Sequence, residues 1–202
     1  MMQRIGRSRL DAEKVQQVLD SSATTLGIAC SEGERHFLQV LARELVRSHQ
    51  CLQEIEQRIT HEVAADALLT RMAEVVGKTT SLVLGATVGT PVDYPNPHSY
   101  LKALGLNLKE RSSGKHKGQL KITKRGPGKA RAYLYFAALR WLYKDRVIGA
   151  WYQRKIKRDG NRKGKAIVAI MRKLVLALWH VAQGEVFDSR KLFNTQALGL
   201  AA

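Results

Sequence analysis

The chain has 202 residues, 45% of them hydrophobic and 25% charged. That balance excludes the disordered and fibrous classes and leaves ample chain for a buried core. With 34 Lys and Arg against 17 Asp and Glu, the net charge is +17, which asks for a polyanionic partner. Two cysteines, Cys30 and Cys51, lie outside any CxxC spacing and exclude a disulfide scaffold or a zinc ribbon. No apolar run approaches the ~20 residues of a membrane-spanning helix. The N-terminus, MMQRIGRSRLDAEK, has no apolar stretch behind it and is no secretory signal. With only four Pro and many Leu, Ala, Lys and Arg, the expected fold class is mainly α, in a soluble, cytoplasmic protein without a membrane partner.

Residues 10–22 read as a short helix opened by Asp11; with a linker through Cys30 they make an N-terminal segment over 1–33. Ser31 and Glu34 have the spacing of a capping box, and from Glu34 to Val76 there is neither Pro nor Gly. Leu38, Leu45, Leu52 and Ile59 fall seven apart, Leu41 and Ile55 lie near the alternate seam, and Ser48 and Glu62 interrupt it. The pattern predicts a long helix over 34–74, either packed on its own domain or paired as a coiled coil that makes the chain a homo-oligomer.

Residues 75–202 are expected to form a compact basic helical domain. It opens with Gly- and Thr-rich turns in which Val75-Val76-Gly77-Lys78-Thr79 is a helix-hairpin-helix-like element. A helix from Tyr100 ends at Gly105, and a basic, glycine-punctuated loop follows over 107–128, where QLKIT allows at most one short β-hairpin. From Lys129 the helical period returns. Leu134, Ala137, Ala138, Trp141 and Leu142 share a face that Val147, Ile148 and Trp151 extend after a bend. A second basic loop leads to a helix over 166–181 with the stripe Ile167, Ile170, Leu174, Ala177 and Val181.

Charge is unevenly placed along the chain. Residues 1–100 hold 10 Lys and Arg against 12 Asp and Glu, a net of −2, whereas residues 101–202 hold 24 against 5, a net of +19. Nucleic acid is the natural counter-charge, since each neutralised phosphate releases condensed counterions. VVGKTT fails as a phosphate-binding loop because Met72 stands where that motif needs Gly. It reads either as a turn whose Gly77, Lys78 and Thr79 meet a DNA phosphate or as an ordinary interhelical turn. The six His show no HxxxH or HExxH spacing, and Glu110, Asp145, Asp159, Glu185 and Asp188 form no obvious metal-holding pair. No metal site is therefore expected in this chain. Trp141, Trp151, Trp179 and His180 are expected as core residues.

One ordered set stands out: Gly105-Leu106, Ser113-Gly114, Ile122-Thr123-Lys124-Arg125-Gly126, then Arg131-Ala132-Tyr133-Leu134 closed by Ala137-Ala138. In this order and spacing, over about residues 70–140, the chain resembles the C-terminal transposase domain of the insertion-sequence-one-ten family. These are bacterial RNA-guided recombinases whose N-terminal domain is RuvC-like, with an Asp-Glu-Asp-Asp metal site. The chain departs from the family pattern at Leu108 and Ala130, where Pro and Leu are usual, and at Val76-Gly77-Lys78-Thr79, where the family has Pro-Gly-Ile-Gly.

The resemblance implies that Ser113 is the catalytic nucleophile, attacking a DNA phosphodiester and becoming joined to the cut end, with Ser112 as fallback. Lys115, Lys117, Lys121, Lys124, Arg125 and Arg131 would neutralise the phosphoryl charge, and Gly114 would let the backbone approach closely. It also implies DNA and guide RNA as partners, and Mg²⁺ held by the RuvC-like domain rather than a cofactor held by this chain. Only about 33 residues precede the long helix, whereas a RuvC-like domain needs roughly a hundred. The expectation is thus the C-terminal part of an insertion-sequence transposase, acting in DNA transposition with a RuvC-like domain in cis or trans. The rival is a non-enzymatic nucleic-acid-binding helical module.

Overall fold

Ser31 and Glu34 cap each other as expected. The Ser31 N–H donates to Glu34 Oε2 at 2.8 Å and the Glu34 N–H donates to Ser31 Oγ at 3.3 Å, which starts a helix of 34 residues. The computed structural model describes residues 12–24, 27, 31–110, 118 and 120–199, and the chain divides into two units, 1–58 and 59–202. In the first unit, α1 (Ala12–Thr24) is the helix expected at 10–22, its expected opener Asp11 lying outside the described residues. The long helix is α2 (Glu32–Ala65). Its seam is exposed from Leu38 to Ile55, with Leu45 at 54% and Leu52 at 59%.

The helix expected to continue to 74 ends at Ala65. Asp66 leaves helical space at φ −118° and ψ 114°, and its carboxylate accepts from the Leu68 and Leu69 N–H groups, capping α3 (Ala67–Val76). The Thr70 hydroxyl donates back to the Val63 carbonyl at 2.8 Å, satisfying one acceptor that the end of α2 leaves open. In the second unit α4 (Lys78–Val88) follows directly, then a 3-10 turn at Pro91–Asp93. Next come α5 (Pro97–Ala103), which starts earlier than expected because Asn96 caps it, and β1 (Leu108–Glu110) and β2 (Leu120–Ile122), antiparallel with Leu108 opposite Ile122. The bend expected near 145 is a break. Asp145 caps the Ile148 N–H and divides α6 (Gly128–Lys144) from α7 (Arg146–Arg158). The chain closes with α8 (Lys163–Ala182) and α9 (Ser189–Leu192).

The second unit is built around α8. All five residues of its expected stripe are buried, but so are Ala166, Met171, Val175, Leu178 and Ala182, because α3, α5, α6 and α7 all pack on this helix. Two indoles join the layers. Trp141 Nε1 donates to the Val75 carbonyl at 2.6 Å and Trp179 Nε1 to the Tyr94 carbonyl at 3.1 Å, each ring bringing apolar area and one satisfied donor. Trp141 and Trp151 pack against the core only partly buried, and Trp179 is likewise half-buried. His180 is not a core residue. It is exposed near the end of α8 with Nδ1 2.9 Å from Glu185 Oε1.

The second basic loop is partly neutralised by one acid. Asp159 Oδ2 accepts from Lys155 at 2.6 Å and lies 3.5 Å from Lys165, and Oδ1 is 3.2 Å from Arg158. The Lys155 hydrogen bond is the largest cause that pulls the Asp159 carboxyl down to about 2, with the Arg158 bond and the Lys charges adding against desolvation. A carboxyl depressed in the folded state stabilises fully above its unfolded pKa, about 3.9, and that contribution is lost as pH falls toward 2. Thermal melts are expected to show Asp159→Asn less stable than the native chain at pH 7, with the difference narrowing between about pH 4 and pH 2. A constant difference across that range would contradict the ion-pair account.

Candidate nucleic-acid interface

The hairpin consists of one residue. Gly77 closes α3, its N–H donating to the Ala73 carbonyl, and opens α4, with φ +85° and ψ 156°. That region of backbone space favours glycine. Among the described residues no side chain caps α4, so its first N–H groups lack a side-chain partner next to the exposed Lys78 and Thr79. A Cβ at Gly77 would fall 2.5 Å from Arg140 Nη1, which puts a guanidinium from α6 against the hairpin.

The motif residues around 105 and 126 form a lock of two backbone segments. Gly105 has φ +67°, and a Cβ there would sit 2.7 Å from the Arg125 nitrogen. A Cβ at Gly126 would sit 2.3 Å from the Ala103 carbonyl oxygen. The segments are held by Lys124 N–H to the Gly105 carbonyl at 2.9 Å and Thr123 N–H to the Asn107 carbonyl at 3.0 Å. Thr123 Oγ1 also bonds Asn107 Oδ1 at 2.6 Å. Arg131, expected on DNA, sends Nη1 to the carbonyls of Leu104 at 3.2 Å and Gly126 at 2.7 Å. Its guanidinium therefore ties the turn together. Arg172 adds a bond from α8 to the Leu106 carbonyl at 2.9 Å, with burial lowering its pKa.

This lock is the base of the β1–β2 stem. Lys109 and Lys121 are directly opposite one another in the ladder and both exposed, and Lys124 and Arg125 are exposed in the turn that follows. Among the described residues Lys124 is one of two non-glycine residues with positive φ, at 57°. Ser112, Ser113, Gly114, Lys115 and Lys117 belong to the segment joining the two strands and lie outside the described residues. Of the expected contacts, Lys121, Lys124, Arg125 and Arg131 come together at this lock. Gly77, Lys78 and Thr79 form a second group beside Arg140, about 18 Å further along α6 at 1.5 Å per residue.

The acids of the basic half do not gather. Asp145 and Asp188 cap backbone N–H groups, Asp159 holds three cations, Glu185 pairs with His180 and Glu110 lies on β1. Among the described residues no group of three or more His, Cys, Asp or Glu is arranged to hold a metal ion. These side chains do not fit the Mg²⁺ site of such a recombinase. Nor does any described helix have the length and apolarity to cross a membrane.

Sequence reading overlooked Tyr133, Phe136, Arg140 and Tyr143, which α6 exposes together. The signal was their spacing opposite Leu134, Ala137 and Ala138. No curated protein matches the chain. Residues 67–153 match the model of the transposase IS116/IS110/IS902 family, a stretch that begins with α3 and holds the hairpin, the locked turn, the stem and all of α6. From α3 into α7, this chain is similar to the transposase domain of the IS116/IS110/IS902 family.

Proposed function

We propose that the chain binds DNA through its basic half and supplies Ser113 to a composite site that recombines DNA. In that step the Ser113 oxygen bonds to a strand phosphorus, and the phosphorus–oxygen bond to the neighbouring deoxyribose breaks. The hydroxyl proton leaves with the departing oxygen. Since four of the five acids of the basic half are engaged as caps and ion pairs and the fifth, Glu110, stands apart on β1, a RuvC-like domain in cis or trans is the partner this reading requires. Guide RNA and a second copy of the chain, along the exposed seam within 34–74, complete the proposed assembly.

The unbalanced charge of the stem carries the reading. Lys109 faces Lys121 across the ladder, and like charges directly opposite are destabilising. Among the described residues neither they nor Lys124 and Arg125 have a carboxylate partner. Such a cluster is offset by a polyanion, and the uncapped start of α4 with Lys78 and Thr79 offers a second phosphate contact.

Salt titration of duplex-DNA binding tests this. Log K should fall linearly with log salt, and Lys121→Ala, Lys124→Ala and Arg125→Ala should each reduce the slope by about one. Arg131→Ala should instead leave the slope in place and lower the melting temperature, because its guanidinium is held by Leu104 and Gly126. Salt-insensitive binding, or an unchanged slope in the triple variant, would overturn the assignment.

A further inference from the structure

Lys129, Tyr133, Phe136, Arg140, Tyr143 and Lys144 recur at helical spacing and fall within roughly 100° of the α6 circumference. The opposite face, with Ala130, Leu134, Ala137 and Ala138, is the one buried in the core. Phe136 is 65% exposed and Tyr143 91%, so these rings do not hold the domain together. The helix, GKARAYLYFAALRWLYK, contains no acidic residue. One end of the stripe starts just after the Gly126 lock, and the other reaches the hairpin through the Arg140 guanidinium at Gly77.

The chemistry of this face selects among partners. A packed helix or a second copy would be met by aliphatic residues at these positions, and three cations would be left without a counter-charge, Arg140 bonding only the Val75 carbonyl at 3.5 Å and Lys144 lying over the Trp141 ring. A duplex engages the cations but keeps the faces of its bases stacked inside, leaving the rings without a role. A strand with unpaired bases engages both, because bases stack on aromatic side chains while cations follow the backbone. Phe136 and Tyr143 are seven residues apart, about 10.5 Å along the axis, so the two rings reach bases about three steps apart at ~3.4 Å per nucleotide.

We propose that this face of α6 binds single-stranded DNA, with bases stacked on Tyr133, Phe136 and Tyr143 and phosphates on Lys129, Arg140 and Lys144. The inference rests on the DNA-binding reading above and specifies the form of strand it takes.

The test uses the full chain with a labelled DNA 16-mer, an RNA of the same sequence and the corresponding DNA duplex, read by fluorescence anisotropy. Phe136→Ala and Tyr143→Ala should each weaken single-stranded DNA binding about tenfold, without changing the salt slope. Duplex affinity should stay within about twofold, and melting should be unchanged. Phe136→Trp should restore the affinity, and its indole emission should fall when the DNA strand is added. Equal losses on duplex and single strand, no loss on the single strand, or a loss confined to RNA would each overturn the proposal. So would a dimer that dissociates on Phe136→Ala in sedimentation, since a second copy would then occupy the face. A chain that binds neither duplex nor single strand sinks the broader DNA reading too, whereas duplex binding with indifferent aromatic variants sinks this inference alone.

Discussion

Ser113→Ala is expected to abolish covalent joining of the chain to DNA while leaving DNA affinity nearly unchanged. In the proposed step the Ser113 oxygen is the atom that bonds to phosphorus, and alanine leaves no atom to replace it. Loss of a nucleophile lowers such reactions by at least about three orders of magnitude. Affinity should change less than about threefold, because the phosphate contacts assigned here come from Lys121, Lys124, Arg125 and the hairpin. The measurement is a protein–DNA adduct on a denaturing gel, with a RuvC-like domain and Mg²⁺ supplied in trans. Ser112→Ala is the control and should form the adduct normally. An adduct that survives in Ser113→Ala and vanishes in Ser112→Ala would move the nucleophile by one residue. An adduct indifferent to both would remove the nucleophilic role from this segment and leave a binding module.

What the amino-acid sequence made legible is what depends on near neighbours. The Ser31–Glu34 cap and the Ile167 to Val181 stripe are local patterns, and both are present in the structure. The family resemblance survived as well, since it rests on an ordered set of short motifs between Gly105 and Ala138, within the matched residues 67–153. The break at Asp66 escaped because neither Gly nor Pro marks it; an Asp that caps α3 and a Thr70 hydroxyl that closes α2 do the work instead. Arg131 was read as a phosphate contact because it stands among other cations. Its carbonyl partner on Leu104 lies 27 residues away, a contact that spacing along the chain does not reveal. His180 shares a helix with a buried stripe but sits on its exposed edge next to Glu185. The aromatic face of α6 was visible in principle. It went unread because attention to helical period selects the residues that enter a core, and the residues left outside it carry the surface chemistry.

Gly126→Ala is expected to destabilise the second unit by about 3 kcal/mol or more, a fall in melting temperature of roughly 10 °C for a unit of this size. The added carbon would meet the Ala103 carbonyl oxygen at 2.3 Å, the Leu104 carbonyl carbon at 2.7 Å and the Gly105 nitrogen at 2.9 Å. All three are backbone atoms, so no side chain can swing aside. Relief requires the two segments to part, which breaks the Lys124 bond to Gly105 and the Arg131 bonds to Leu104 and Gly126. Gly164→Ala is the matched control. Nothing lies within 4 Å of a Cβ there, in the first turn of α8, and the change should be neutral or stabilising by up to about 1 kcal/mol. The comparison separates two reasons for glycine in a basic loop. A glycine kept so that a phosphate can approach tolerates a methyl group in the free protein and loses DNA affinity at unchanged melting temperature. A glycine kept so that two chain segments can touch loses the fold first. The distances at Gly126 place it in the second class, and unchanged melting of Gly126→Ala would put it in the first. Because the same lock anchors both strands of the stem, its loss should also lower the salt slope contributed by Lys121, Lys124 and Arg125, even though none of those side chains has been altered.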